Sequence, residues 1–159
     1  MVGSSRQIRD SSLSSAAASQ GLSAPWYADL LMATLAEMHV LAVDDEEVML
    51  KMYRDYFAQK GVRLITAATT DATLALVAQQ SVDIVIMDLK LGPDSGKDLF
   101  HKIRASHPHA RWIFVTAYAT DQLIDELHGQ GVFEVIRKPC TIRTIFETVE
   151  KVAQASIQA

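Results

Sequence analysis

Several short runs of the chain are apolar almost throughout, and this feature constrains the fold more than any other. The runs at 39–43, 82–87 and 112–115 are dominated by aliphatic and aromatic residues. A strand with one face in water alternates apolar and polar residues, whereas a strand buried on both faces is apolar along its length. Segments with the spacing of amphipathic helices separate these runs. The alternation predicts a parallel sheet that is covered by helices on both faces.

Five strands and five helices alternate beyond residue 38. We predict strands at 39–43, 62–67, 82–87, 112–115 and 132–136, and helices at 46–60, 71–80, 95–106, 120–130 and 141–155. The predicted fold class is therefore α/β, a (βα)5 doubly wound, flavodoxin-like fold with a parallel five-stranded sheet and an extra N-terminal helix. Residues 39–157 form this predicted domain.

The first 38 residues divide into two predicted segments. Residues 1–22 are rich in Ser, Ala, Gly and Gln, so they are predicted to be a disordered tail. Residues 23–38 are predicted to form an amphipathic helix, with Ser23 as its cap and Pro25 in its first turn. Its apolar stripe contains Trp26, Leu30, Leu31, Leu35 and Met38. Because five helices already complete the predicted core, this stripe is expected to cover a sheet edge or to pair with a second chain, and we favour the second chain.

Charge and composition exclude several classes of function. The formal net charge is -4 and no cluster of Lys and Arg is present, so neither direct nucleic-acid binding nor binding to an anionic membrane is expected. No run approaches the roughly 20 apolar residues that span a bilayer. The single cysteine, Cys140, fits a reducing compartment, and we expect a cytoplasmic protein.

Reactive side chains follow four of the five predicted strands. In open parallel sheets, ligands bind outside the carboxyl ends of the strands, so these side chains are expected to converge. Clustered carboxylates repel one another, and Mg²⁺, which prefers oxygen ligands, would relieve that repulsion. A lysine supplies a point charge for phosphate, and an aspartate can itself hold a phosphoryl group. The residues at the strand ends are Asp44, Asp45, Glu46, Asp88, Thr116 and Lys138.

Four sequence motifs connect this pattern to a known family. VLAVDDEE, IVIMDLKLGPDSG, IFVTA and IRKP occur at the strand ends, in that order. Together they resemble the receiver domain of bacterial two-component response regulators, and the resemblance covers residues 39–155. It implies that Asp88 is the phospho-acceptor and that Asp45 and Asp88 bind Mg²⁺ together with the backbone carbonyl of Lys90. It also implies that Asp44 supports the metal site through water.

The resemblance further implies how the phosphoryl group is sensed and supplied. Thr116 and Lys138 would respond to the phosphoryl group, and the Lys138–Pro139 bond would be cis. The donor would be a sensor histidine kinase or a histidine phosphotransfer protein, since the five histidines of this chain are scattered. The domain would be a signalling switch rather than an enzyme. A homodimer through the N-terminal helix or the last strand and helices would be one possible output.

Two departures from the family pattern concern the switch. The family commonly has an aromatic residue three positions before the lysine, where this chain has Val135, so Phe133 or Tyr118 would have to substitute for that ring. Pro93 lies one place later than the common proline of the acceptor loop, which predicts a different loop shape. Lys90 and Tyr118 are also placed to lie beside the phosphoryl group.

Two alternative functions remain open at this level. A magnesium-dependent phosphohydrolase with an aspartyl nucleophile would need a second acid two residues after that nucleophile. Lys90 holds that place after Asp88, and Glu46 holds it after Asp44. A degenerate receiver that signals without phosphate is the other alternative. The sequence also leaves open the cognate kinase and whether the domain acts alone, in a larger regulator or in a hybrid kinase.

Overall fold

A computed structural model describes residues 24–159. Helix α1 spans Pro25–Glu37 and leads into strand β1, Val40–Val43. The chain then alternates through α2 (Glu47–Gln59), β2 (Leu64–Ala67), α3 (Thr70–Gln79) and β3 (Ile84–Met87). A short hairpin of β4 (Lys90–Leu91) and β5 (Asp94–Ser95) precedes α4 (Gly96–Arg104). The remaining elements are β6 (Arg111–Thr116), α5 (Asp121–Gly129), β7 (Glu134–Arg137) and α6 (Ile142–Gln158).

The sheet has five parallel strands in the order β2-β1-β3-β6-β7. Helices α2 and α6 pack on one face, and α3, α4 and α5 pack on the other. Strands β1 and β3 are buried at every position, as their continuous apolar sequence requires. The predicted α/β doubly wound fold is therefore confirmed.

Side-chain caps fix where most of the helices begin. The hydroxyls of Thr69, Ser95, Thr120 and Thr141 each accept a hydrogen bond from the backbone N–H three residues later. Such caps satisfy a backbone donor that has no partner within the helix. The proposed Ser23 cap and the predicted tail at 1–22 lie outside the described residues, and the described part of α1 begins after Ala24 without a side-chain cap.

Helix α1 packs against α6, so part of its apolar stripe belongs to the core of this chain, and a role of the stripe in pairing with a second chain stays a prediction. Leu31 and Leu35 are buried in the same core cluster as Val152 and Ala153 of α6. Tyr27, which the predicted stripe omitted, is also buried. The core of α2 and α6 is thus incomplete without α1. Trp26 and Leu30, by contrast, are each 43% exposed.

One local feature differs from the sequence-based prediction. The β4–β5 hairpin was not predicted, because strands of two residues carry no readable alternation. Its turn contains Gly92, at φ 58°, and Pro93. Within residues 24–159, no helix is both long and apolar enough to cross a membrane.

Candidate functional site

The ends of the parallel strands carry the reactive side chains predicted from the sequence. Ladder hydrogen bonds continue one residue beyond the strands and fix three of these positions. The N–H of Asp44 donates to Ala67 at 3.2 Å, and the N–H of Asp88 donates to Val43 at 3.2 Å. The N–H of Lys138 donates to the carbonyl of Thr116 at 2.9 Å. The sheet backbone therefore brings these residues together before any side chain is considered.

Lys138 connects the carboxylates of the first and third strands. Its ammonium Nζ lies 2.8 Å from Asp88 Oδ2 and 3.3 Å from Asp44 Oδ2. A third, exposed carboxylate is farther away, with Glu46 Oε1 at 3.8 Å. The Lys138–Pro139 bond that follows is cis, as the resemblance implied. The lysine thus partly neutralises the acids gathered at this edge of the sheet.

Burial makes the electrostatics of this site strong. Asp44 is 1% exposed and Asp88 is 6% exposed. Burial raises the pKa of Asp44, since desolvation disfavours the charged carboxylate; its bond from the Glu46 N–H and the charge of Lys138 act in the opposite direction. Burial would lower the pKa of Lys138, but the hydrogen bond to Asp88 and the charges of Asp44 and Asp88 raise it. The lysine is therefore firmly held in its charged form.

The acids outnumber the single lysine. Ligand oxygens of Asp44, Asp45 and Glu46 all lie within 4.8 Å of one another. Asp45 Oδ2 also accepts a hydrogen bond from the Gly92 N–H at 3.0 Å, which ties the cluster to the β4–β5 hairpin. Carboxylate oxygens at this spacing suit a hard divalent cation such as Mg²⁺. Glu46, a strand-end residue to which the family resemblance assigns no metal role, belongs to this cluster.

The loop after β3 is fitted closely around Asp88. The N–H of Lys90 donates to Asp88 Oδ1 at 3.1 Å, so both carboxylate oxygens of Asp88 have a donor. Gly96 begins helix α4 directly beside this loop, and its N–H donates to the Leu89 carbonyl at 2.8 Å. A Cβ atom at position 96 would lie 1.9 Å from the Asp88 carbonyl oxygen. Only glycine fits there, which explains a glycine that the sequence motif contains.

Thr116 ends β6, the strand next to β3 and its acceptor loop. Thr116 is fully buried, and its Oγ1 accepts a hydrogen bond from the Tyr118 N–H at 3.2 Å. The Tyr118 ring is 61% exposed, and the Lys90 ammonium lies 5.2 Å from its centroid. Val135 is a buried core residue, and Phe133 packs against the core of α2 and α6. Of the two residues considered as substitutes for the missing aromatic, Tyr118 contacts Thr116 by a hydrogen bond, which comes from its backbone N–H and not from its ring.

Comparisons with known proteins identify the family. The family model described as "Response regulator receiver domain" matches residues 40–150. The alginate biosynthesis transcriptional regulatory protein AlgB of Pseudomonas aeruginosa is 33% identical over 103 residues, which cover 64% of this chain and 23% of AlgB. The probable transcriptional regulatory protein TcrX of Mycobacterium tuberculosis is 31% identical over 108 residues, covering 67% of this chain and 45% of TcrX. This chain therefore spans less than half the length of these two curated relatives.

Solved structures show the same fold. A CheY-like response regulator receiver domain protein from Methanospirillum hungatei superposes with a TM-score of 0.70 at 25% identity. The match covers 77% of this chain and 98% of that protein. Since the family model covers most of the chain and the fold agrees, the chain belongs to the receiver domain family of two-component response regulators.

Proposed function

We propose that Asp88 accepts a phosphoryl group in a magnesium-dependent reaction and that the domain at 39–157 acts as a signalling switch. The observation that carries this proposal is the contact of Lys138 with two buried carboxylates, at 2.8 Å to Asp88 and 3.3 Å to Asp44. A buried ion cluster of this kind adds little to stability compared with apolar packing, so its presence favours a chemical role.

Mg²⁺ would be held by the carboxylates of Asp45 and Asp88 and by the backbone carbonyl of Lys90, with Asp44 acting through water. The donor set fits the ion, because four carboxylates and one ammonium leave a local excess of negative charge beside the acceptor. When bound, Mg²⁺ would neutralise charge on the acceptor and on the incoming phosphoryl oxygens. Among the described residues, these acids lie at the ends of β1 and β3, next to one another in the sheet.

The side chains of the site have distinct parts in the proposed transfer. An oxygen of the Asp88 carboxylate forms the new bond to phosphorus, while the bond from phosphorus to the donor breaks and its electron pair leaves with the donor. Lys138 already points at Asp88 and would bind a phosphoryl oxygen as a point charge. Within residues 24–159, the Thr116 hydroxyl forms one hydrogen bond, which it accepts from the Tyr118 N–H, so its own proton can be donated to another phosphoryl oxygen.

The partners follow from the chemistry of the donor. We propose a phosphohistidine of a sensor histidine kinase or of a histidine phosphotransfer protein as the donor, acting in the cytoplasm. Phosphorylation would then change a surface for a partner or for a second copy of the domain. The regulators AlgB and TcrX extend well beyond the part that this chain matches.

Treatment with acetyl phosphate and Mg²⁺, followed by intact-mass measurement, tests the proposal. We expect the wild-type protein to gain the mass of one phosphoryl group, and we expect neither the Asp88→Asn variant nor a sample treated with EDTA to gain it. An Asp88→Asn variant that still takes up the label would refute the assignment of the acceptor. Sustained hydrolysis of a phosphomonoester would instead favour the phosphohydrolase.

A degenerate receiver would give a third result. Beryllofluoride mimics the phosphoryl group on an aspartate, so partner binding or oligomer size should change when it is added with Mg²⁺. A protein that binds its partner equally well with and without the mimic, and takes up no phosphoryl group, would signal independently of phosphate.

A further inference from the structure

A second lysine, Lys90, follows the proposed acceptor by two residues. The backbone of Lys90 is hydrogen-bonded to Asp88 Oδ1 at 3.1 Å, and its side chain crosses to the loop that follows β6. There the ammonium lies 5.2 Å from the centroid of the Tyr118 ring. Strands β3 and β6 are neighbours in the sheet, so this contact joins the loop after the acceptor to the loop after Thr116.

The contact with Tyr118 is a weak one. Lys90 is exposed and Tyr118 is 61% exposed, and a cation–π contact in water contributes far less than one that is desolvated. No carboxylate among residues 24–159 forms an ion pair with Lys90, in contrast to Lys51, Lys97 and Lys138. The ammonium is therefore held near the site by a neutral ring and not by an opposite charge.

Phosphorylation would change what attracts this ammonium. This step rests on the proposed function, in which a phosphoryl group adds negative charge at Asp88. A charge-assisted hydrogen bond from the ammonium to a phosphoryl oxygen is stronger than an exposed cation–π contact. We propose that Lys90 is a second cation for the phosphoryl group, held on the Tyr118 ring until the acceptor is modified. When the Lys90 ammonium leaves, the ring of Tyr118 is freed. Tyr118 is also the residue whose backbone N–H donates to the Thr116 hydroxyl.

The proposal makes opposite predictions for the two members of the pair. Removing the ammonium in Lys90→Met weakens binding of beryllofluoride with Mg²⁺, by about threefold or more, because one cation is lost. Removing the ring in Tyr118→Leu strengthens binding, by about two- to fivefold, because the competing contact is lost. In the Lys90→Met background, Tyr118→Leu has no further effect. The backbone carbonyl of Lys90 is kept in all of these variants.

The chain offers a matched control for the lysine. Lys60 lies 5.5 Å from the centroid of the Tyr56 ring, at the end of α2 that points away from the site. Lys60→Met removes the same kind of contact and is expected to leave the affinity for beryllofluoride unchanged. Lys90→Arg keeps a cation on the ring and is expected to retain most of the wild-type affinity.

Calorimetric titration with beryllofluoride in excess Mg²⁺ measures these affinities, and NMR of the Lys90 ε-methylene protons follows the ammonium. These protons should lose the ring-current shift of Tyr118 when beryllofluoride binds. Equal weakening by Lys90→Met and Tyr118→Leu, or ε-methylene resonances that do not move on binding, would overturn the proposal. If the Asp88→Asn variant binds beryllofluoride with the affinity of the wild type, the assignment of the acceptor itself is contradicted.

Discussion

Replacing Gly96 by alanine tests how closely helix α4 is fitted to the acceptor loop. The added Cβ would lie 1.9 Å from the carbonyl oxygen of Asp88 and 3.1 Å from the Cα of Leu89. Both contacts are with backbone, so no side chain can rotate away to relieve them. The N–H of Gly96 also donates to the Leu89 carbonyl at 2.8 Å, and separating the two segments breaks this bond.

The cost of this substitution is the sum of two effects. Overpacking in a close-packed region costs about 1–3 kcal/mol, and the loss of a buried backbone hydrogen bond costs about 1 kcal/mol more. We therefore expect Gly96→Ala to lower the free energy of unfolding by about 2–4 kcal/mol. The displaced loop carries the Asp88 carboxylate and the Lys90 carbonyl, so the affinity for Mg²⁺ should fall as well.

Urea unfolding and a magnesium titration measure the two consequences. Gly129→Ala is the matched control, because it lies within α5 and a Cβ there meets nothing within 4 Å. Alanine is the better helix former, so this variant should gain about 0.5–1 kcal/mol of stability and bind Mg²⁺ normally. A Gly96→Ala protein as stable as the wild type, with unchanged Mg²⁺ affinity, would refute the close approach of α4 to the acceptor loop.

Three further predictions concern stability. Leu35→Ala should lower the free energy of unfolding by about 2–5 kcal/mol because Leu35 is fully buried, whereas Leu30→Ala, at 43% exposed, should change it by about 0.5 kcal/mol or less in urea titrations. Lys138→Met leaves two buried carboxylates without their cation, so it should cost about 2 kcal/mol or more at neutral pH and less at pH 4; equal losses at both pH values would contradict this. Burial, and then the charge of Glu147, raise the pKa of Glu150, so its ionised form opposes folding. Glu150→Gln should therefore be slightly more stable than the wild type at pH 7, and this difference should vanish below the ordinary pKa of 4.5; a larger difference in acid would have the wrong sign.

The order of strands and helices was predictable because the signal is redundant along the chain. Strands β1 and β3 are apolar at every position, and helices α3, α4, α5 and α6 each begin next to a hydroxyl residue that caps them. Each of these signals is local, so a single sequence carries them. The β4–β5 hairpin was missed because it depends on a turn at Gly92 and on the hydrogen bond from the Gly92 N–H to Asp45. Asp45 is far away in the sequence, so no local periodicity indicates this contact.

The site was predictable as a set of residues but not as a set of contacts. Parallel strands must end at one edge, so the convergence of Asp44, Asp88 and Lys138 follows from topology alone. Which oxygen the Lys138 ammonium meets, and whether Glu46 joins the cluster, depends on rotamers that only the folded chain specifies. The Lys90–Tyr118 contact is of the same kind, since the two residues are far apart in the sequence.

Helix α1 illustrates a choice that its own sequence does not make. Tyr27, Leu31 and Leu35 follow one another at intervals of four, but Trp26 and Leu30 form an equally apolar row beside them. The structure buries the first row, because this row packs against the C-terminal part of the apolar face of α6, which continues to Gln158. The first and last helices of the described chain are therefore joined through fully buried leucine. Under the proposed function, a displacement of α6 on phosphorylation would carry α1 with it or expose that contact, which would couple the segment before β1 to the switch.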